Sequence, residues 1–180
     1  MRALKPIRAG EQITMSYIGG PLVSRAERQE ELQGKYAFTC ACPACSSSLD
    51  EIQRSDGRRS ILGTLKSDVD HDPAIRKWVA DVSLQDDMFL APYLRLMGYF
   101  EAETYADADA WPGVLQRLVK VYCALGNAEE ARKVARKAAC LTMVFTGDDG
   151  GWTKVADAPE KTTWWGLRAK AKEAARCANH

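Results

Sequence analysis

The chain has 180 residues, enough for one ordinary domain or for two small ones, and we expect two small units. Its 46% hydrophobic and 27% charged residues are typical of a globular protein, and no segment approaches the roughly 20 consecutive apolar residues that cross a bilayer, so we expect a soluble protein without membrane contact. A formal net charge of +1 argues against direct binding of nucleic acid, which requires many uncompensated cations.

The amino terminus carries two short β-prone runs, residues 2–7 and 12–18, separated by a turn that contains Gly10. We expect a β-hairpin here. Because side chains alternate across a strand, Tyr17 would share a face with the apolar residues Ile13 and Met15. No secretory signal precedes the runs, so a cytoplasmic or nuclear location is expected.

A short charged helix should follow over residues 25–33. Ser24 is a suitable N-cap, and Glu27 stands at the third helical position of a capping box. Gly34 is expected to end the helix, and residues 35–48 read as a compact cysteine-rich loop. We place a domain boundary at Ser48.

From Leu49 onward the apolar residues follow helical periods, so the predicted fold class is α+β: a short N-terminal β-hairpin and zinc loop, then an all-α helical-hairpin unit. The predicted domains are 1–48 and 49–180. Two helices of the tail should pack as an antiparallel hairpin across the Gly126-Asn127 turn. Their shared interface is predicted to contain Leu115, Leu118, Tyr122, Val134, Ala138 and Leu141. The helices of the tail are expected over 74–82, 88–105, 112–125, 129–145 and 161–177.

The strongest chemical signal is the cluster Cys40, Cys42 and Cys45, because three thiolates within six residues can converge on one tetrahedral zinc ion. The alternative is a set of thiols without metal, but a hydrophilic loop offers little core in which to bury them. Zinc requires a fourth ligand, and none stands beside the cluster. The remaining candidates are His71, Cys123, Cys140 and Cys177.

Three stretches, taken in order, resemble the end of a SET domain and the passage into the post-SET region of SET and MYND proteins. They are Gly10-Glu11-Gln12-Ile13-Thr14-Met15-Ser16-Tyr17-Ile18, Ser24-Arg25-Ala26-Glu27-Arg28-Gln29-Glu30-Glu31-Leu32 and Lys35-Tyr36-Ala37-Phe38-Thr39-Cys40-Ala41-Cys42-Pro43-Ala44-Cys45. The resemblance covers about a quarter of the chain. It implies the C-terminal portion of an S-adenosylmethionine-dependent protein-lysine N-methyltransferase that also carries zinc.

By this resemblance Tyr17 corresponds to the active-site tyrosine, which would align the lysine amine for in-line attack on the sulfonium methyl group. Tyr36 and Phe38 correspond to aromatic positions that wall the lysine channel or the cofactor pocket, where ring faces favour a cationic nitrogen or sulfonium. For each aromatic residue the alternative is plain core packing. The implied partner is a lysine of a histone or of another protein.

One departure from the family pattern concerns the Asn-His motif that binds the cofactor. The only Asn-His pair here, Asn179-His180, follows a helix and lacks the strand-loop context of that motif. We therefore expect the chain by itself to be inactive, as a fragment whose cofactor segment and fourth zinc ligand lie elsewhere.

The tail around 121–131 resembles the helix-turn-helix of tetratricopeptide-type units, so a protein partner on the helical tail is a further expectation. A generic helical hairpin would give a similar pattern. The alternative to an enzyme is thus a non-enzymatic interaction module built from a zinc loop and helical hairpins. A zinc ribbon that binds nucleic acid is disfavoured by the charge balance.

Overall fold

The computed structural model describes residues 7–12, 18, 22–65, 72–103 and 110–178. Within these ranges every regular element is helical. No helix among them combines the length and apolar character that a bilayer-spanning segment requires. The α-helices are α1 (Arg25–Tyr36), α2 (Leu49–Gly63), α3 (Asp72–Ala80), α4 (Leu90–Ala102), α5 (Ala110–Leu125), α6 (Ala128–Thr146), α7 (Trp152–Asp157) and α8 (Leu167–Ala178), and a 3-10 helix spans Pro159–Lys161.

The α+β prediction is wrong, because the described residues form helices and contain no strand. The two runs expected to build the hairpin lie largely outside the described residues, but the turn between them is present. The backbone N–H of Glu11 donates to the carbonyl of Arg8 at 3.0 Å, and Gly10 has a φ of 83°. A two-stranded hairpin is marginal in water without a third strand, and no described segment supplies one.

The described residues divide into two compact units. The loop unit comprises those between 7 and 65 together with 99–103, and the tail unit comprises 72–98 and 110–178. The loop unit thus contains both the cysteine-rich loop and α2. The division of the chain at Ser48 into 1–48 and 49–180 stays a prediction.

Helix α1 begins as predicted and ends later than predicted. The hydroxyl of Ser24 accepts from the backbone of Glu27 at 3.2 Å and the Glu27 carboxylate accepts from the backbone of Ser24 at 2.8 Å, which completes the capping box. The helix continues through Gly34, since a glycine ends a helix only where a left-handed residue is needed. The left-handed residue here is Ala37, whose φ is 49°. This backbone conformation costs a non-glycine residue about 1–2 kcal/mol.

A buried ion-pair network joins α2 to the residue that follows α4. The Glu103 side chain is only 3% exposed and lies 2.7 Å from both Arg58 Nε and Arg59 Nε. Ser55 donates its hydroxyl hydrogen to the same carboxylate at 2.7 Å. Since few apolar side chains are buried in this unit, chiefly those of Leu32, Leu62 and Phe100, the network carries a large share of its packing.

The tail unit is built on the α5–α6 hairpin, which was predicted from the sequence. Gly126 has a φ of 73°, and the Asn127 side chain accepts from the backbone of Glu130 at 3.1 Å to start α6. Leu141 is only partly buried, but the rest of the predicted interface is buried: Leu115, Leu118, Tyr122, Val134 and Ala138.

The chain after α6 differs from the single final helix predicted over 161–177. Instead, α7 and the 3-10 helix precede a turn at Gly166, whose φ is 65°, and α8 starts only at Leu167. Arg168, which is 1% exposed, anchors the start of α8. Its guanidinium donates to the backbone carbonyls of Trp78, Asp81 and Leu84 and to the carboxylate of Asp86.

We predict that Leu118→Ala lowers the free energy of unfolding by about 2–5 kcal/mol, because a fully buried leucine leaves both lost transfer energy and a cavity. Denaturant unfolding measures this change in the free energy of unfolding. The matched control is Met143→Ala on α6, whose residue is 46% exposed and whose change should stay within about 0.5 kcal/mol. Equal effects of the two substitutions would contradict the packing described here.

We also predict that Glu103→Ala destabilises the loop unit by about 3 kcal/mol. Removing one member of a buried ion pair costs about 3–5 kcal/mol, and the lower end applies because Arg58 keeps access to water. Glu30→Ala, an exposed carboxylate on α1, is the control. Hydrogen exchange of the α2 amides should rise in Glu103→Ala alone; unchanged exchange would show that the network contributes little.

Candidate metal centre

Three thiols of the loop unit converge as the sequence predicts. The sulfurs of Cys40, Cys42 and Cys45 all lie within 4.8 Å of one another. With Zn–S bonds of about 2.3 Å, tetrahedral geometry sets neighbouring sulfurs about 3.8 Å apart, so only a small closure would be needed. Cys45 is buried, Cys40 is partly buried and Cys42 is exposed. The donor set and its spacing therefore fit zinc.

The backbone of the loop forms a tight turn that places these thiols together. The N–H groups of Cys45 and Ser46 both donate to the carbonyl of Cys42, at 2.9 Å and 3.0 Å. The Ser47 hydroxyl donates to the carbonyl of Pro43 at 2.8 Å. These hydrogen bonds give the loop a defined shape before any ion is added.

Side chains on one face of α1 form hydrogen bonds with the backbone of the loop. The Gln29 amide forms two hydrogen bonds with the backbone of Cys40, accepting from its N–H at 2.9 Å and donating to its carbonyl at 2.7 Å. Arg25 Nε donates to the carbonyl of Cys45 at 2.7 Å. Arg28 is buried and lies on the same face of α1 as these two residues.

The sequence analysis did not identify these supporting residues. A usable signal was present, because Arg25, Arg28, Gln29 and Leu32 follow the three- and four-residue steps that share one helix face. Polar residues on a helix directly before a metal-type loop are candidates to face that loop. A charged stripe is nonetheless usually a solvated face, so the pattern alone would not have decided.

The thiols differ in acidity. Partial desolvation by its surroundings raises the pKa of Cys42, but hydrogen bonds from the Cys45 backbone and the neighbouring thiols outweigh it, so this pKa lies below its usual value. Burial and the neighbouring Cys42 thiol raise the pKa of Cys45, although Arg28 acts in the opposite direction. Cys42 is therefore more ready than Cys45 to bind a metal as thiolate.

A fourth ligand does not join the cluster within the part of the chain that the structure describes. Among the other candidates, Cys123 is buried in α5, where its thiol lies 3.9 Å from the carbonyl of Pro159, while Cys140 and Cys177 are exposed. His71 lies outside the described residues. The described residues thus supply three protein ligands to the site.

The predicted aromatic site residues lie beside the loop. Tyr36 is the last residue of α1 and Phe38 follows Ala37; the two are 54% and 52% exposed. Such exposure does not fit plain core packing. The predicted catalytic residue, Tyr17, lies outside the described residues, so its relation to the loop stays a prediction.

Comparison with known proteins relates part of this chain to SET-domain methyltransferases. It is 29% identical over 99 residues to Protein SET DOMAIN GROUP 41 of Arabidopsis thaliana, covering 51% of this chain and 18% of that protein. It is 48% identical over 50 residues to human protein-lysine N-methyltransferase SMYD4, covering 26% of this chain and 6% of the relative. It is 37% identical over 54 residues to histone-lysine N-methyltransferase SET5 of Saccharomyces cerevisiae, covering 30% of this chain and 10% of that protein.

No family model matches the chain, and no solved structure does. The chain spans between 6% and 18% of the length of these relatives. Part of this chain is accordingly related to SET-domain methyltransferases, and the converging thiols of Cys40, Cys42 and Cys45 are a possible metal site within it.

Proposed function

We propose that this chain forms the C-terminal portion of an S-adenosylmethionine-dependent protein-lysine N-methyltransferase of the SET and MYND branch. The observation that carries the proposal is the 48% identity over 50 residues to a protein-lysine N-methyltransferase. The three-thiol cluster supports it independently, since a post-SET region is expected to bind zinc. The substrate would be a lysine side chain of a histone or another protein.

In this proposal the chain's own residues align the substrate. Tyr17 orients the neutral lysine amine, and Tyr36 and Phe38 offer exposed ring faces that can wall a channel for the lysine or the cofactor. S-adenosylmethionine would supply the methyl group from its sulfonium, leaving as the neutral thioether, and the methylated ammonium would release its proton to water. Excluding bulk water and fixing the attack line are then the protein's main contributions.

Zinc would be held by Cys40, Cys42 and Cys45 as thiolates, with the fourth position filled from outside the described set. Its role is structural, because it closes a loop that is otherwise fixed by hydrogen bonds alone. Free thiols in this arrangement suit a reducing compartment, which is why we place the protein in the cytoplasm or nucleus.

The tail unit is proposed as a tetratricopeptide-like element that docks a protein partner. The close packing of α5 against α6 over small residues such as Ala131, Ala135 and Ala138 supports this. A groove needs about three such repeats, so a single hairpin would contribute only part of a binding surface. No nucleic acid is involved in this scheme.

We predict that the purified chain binds zinc at the three-cysteine cluster, with less than full occupancy because one ligand position is open. Metal analysis by mass spectrometry after dialysis against trace zinc measures the content. The triple change of Cys40, Cys42 and Cys45 to serine should abolish binding. The double change Cys140→Ser and Cys177→Ser, both at exposed positions, should leave it intact; zinc content equal in the two variants would refute the site.

We further predict that the 180-residue chain alone neither binds S-adenosylmethionine measurably nor transfers methyl groups, and that it does both when a SET segment containing the Asn-His motif is supplied in trans. Calorimetric titration and methyl transfer to histones and lysate proteins measure these activities. Tyr17→Phe should abolish the reconstituted activity, whereas the control Tyr99→Phe on α4 should not. Turnover by the chain alone would contradict the incomplete site; no turnover in any combination would favour a non-enzymatic interaction module.

A further inference from the structure

The proposed zinc site leaves a charge that the protein must balance. Three thiolates and one divalent ion carry one excess negative charge, and a neutral fourth ligand would not change it. Cys45 is only 4% exposed, so part of this charge is removed from water. An uncompensated buried charge is strongly unfavourable, and a cation within hydrogen-bond reach is the ordinary remedy.

Arg28 is placed to supply that cation. It is 6% exposed, and it lies on the same face of α1 as Arg25, which donates to the Cys45 carbonyl, and Gln29, which binds the Cys40 backbone. Burial raises the pKa of the Cys45 thiol, and Arg28 acts in the opposite direction, as a nearby cation does. The guanidinium is oriented by a hydrogen bond from Nη1 to the carbonyl of Val23, at 2.6 Å. Because arginine stays protonated at any physiological pH, its charge is present whether or not the thiols are ionised.

Asp56 is the one described carboxylate that pairs with Arg28, and the pairing is weak. Its oxygen lies 4.0 Å from Arg28 Nη1, at the outer limit of an ion pair. The same oxygen accepts a shorter hydrogen bond from the backbone N–H of Arg25, at 2.8 Å. The carboxylate therefore helps to orient Arg28 and leaves much of its positive charge available to the sulfur.

The helix that carries Arg28 is fixed with respect to both ends of the cluster. Gln29 binds the backbone of Cys40 through two hydrogen bonds, and Arg25 binds the carbonyl of Cys45. The capping box at Ser24 in turn fixes the start of α1. A group on this helix face keeps its position relative to the thiols, as a residue that tunes a metal site must.

We propose that Arg28 is a positioning residue of the zinc centre, whose charge balances the excess negative charge of a three-thiolate site. The inference rests on the proposed zinc binding. It assigns to a helix residue outside the cysteine motif a direct influence on metal affinity.

The test compares Arg28→Met and Arg28→Lys with the wild-type chain, and uses Arg54→Met as the control because Arg54 is exposed on α2. Zinc affinity is measured by competition with a chromophoric chelator. The thiolate-to-metal absorption of the cobalt-substituted chain gives a spectroscopic readout. Thermal unfolding of the metal-free chains measures any purely structural contribution.

We expect Arg28→Met to weaken zinc binding about 10- to 100-fold, as loss of an outer-shell partner does, and to shift the cobalt–thiolate band. Arg28→Lys should recover part of the affinity, and Arg54→Met should match the wild type. Unchanged affinity and spectrum in Arg28→Met, with zinc bound by the wild type, would overturn the inference and leave the zinc site standing. A wild type without zinc would overturn both.

If Arg28→Met does not fold, Arg28→Gln replaces it, since glutamine keeps an N–H donor and loses the charge. The expected result is again a loss of affinity that Arg28→Lys partly avoids. Affinities for Arg28→Gln and Arg28→Lys that both equal the wild-type value would show that the charge is not needed.

Discussion

Polar contacts link the cysteine loop to the rest of the loop unit. Among the described residues of this unit, Leu32, Leu62 and Phe100 are the main buried apolar side chains, and none of them belongs to the loop. The cysteine loop must therefore be ordered by other means. These are the Gln29 hydrogen bonds to Cys40, the Arg25 hydrogen bond to the Cys45 carbonyl and, in the proposed function, the metal itself.

The tail unit, by contrast, is stabilised mainly by apolar packing. Its centre is apolar, with Val114, Leu115, Leu118 and Val121 of α5 fully buried, so hydrophobic burial supplies most of its stability. A buried polar residue also contributes, since the Arg168 guanidinium donates to backbone carbonyls in the last turn of α3 and in the segment that follows it. Removing metal should accordingly affect the two units very differently.

The features that the sequence predicted correctly depend on residues that lie close together in the chain. The capping box at Ser24 and the convergence of the cysteines depend on residues a few positions apart, and both were found. Contacts over longer separations were missed: the last helix starts later than predicted, at Leu167, where Arg168 binds residues more than eighty positions away. Gly34 was misread because helix termination depends on where a left-handed residue is required, and Ala37 takes that conformation.

The strained position of Ala37 connects the helix, the loop and the proposed site. It stands between Tyr36, which ends α1, and Phe38, which lies two residues before Cys40. Tyr36 belongs to the last turn of α1, whereas Phe38 lies on the segment that leads to Cys40, whose backbone is hydrogen-bonded to Gln29. A metal bound at the cluster would therefore restrict Phe38 more than Tyr36. Through this connection a structural ion can influence the spacing of two exposed rings without touching either of them.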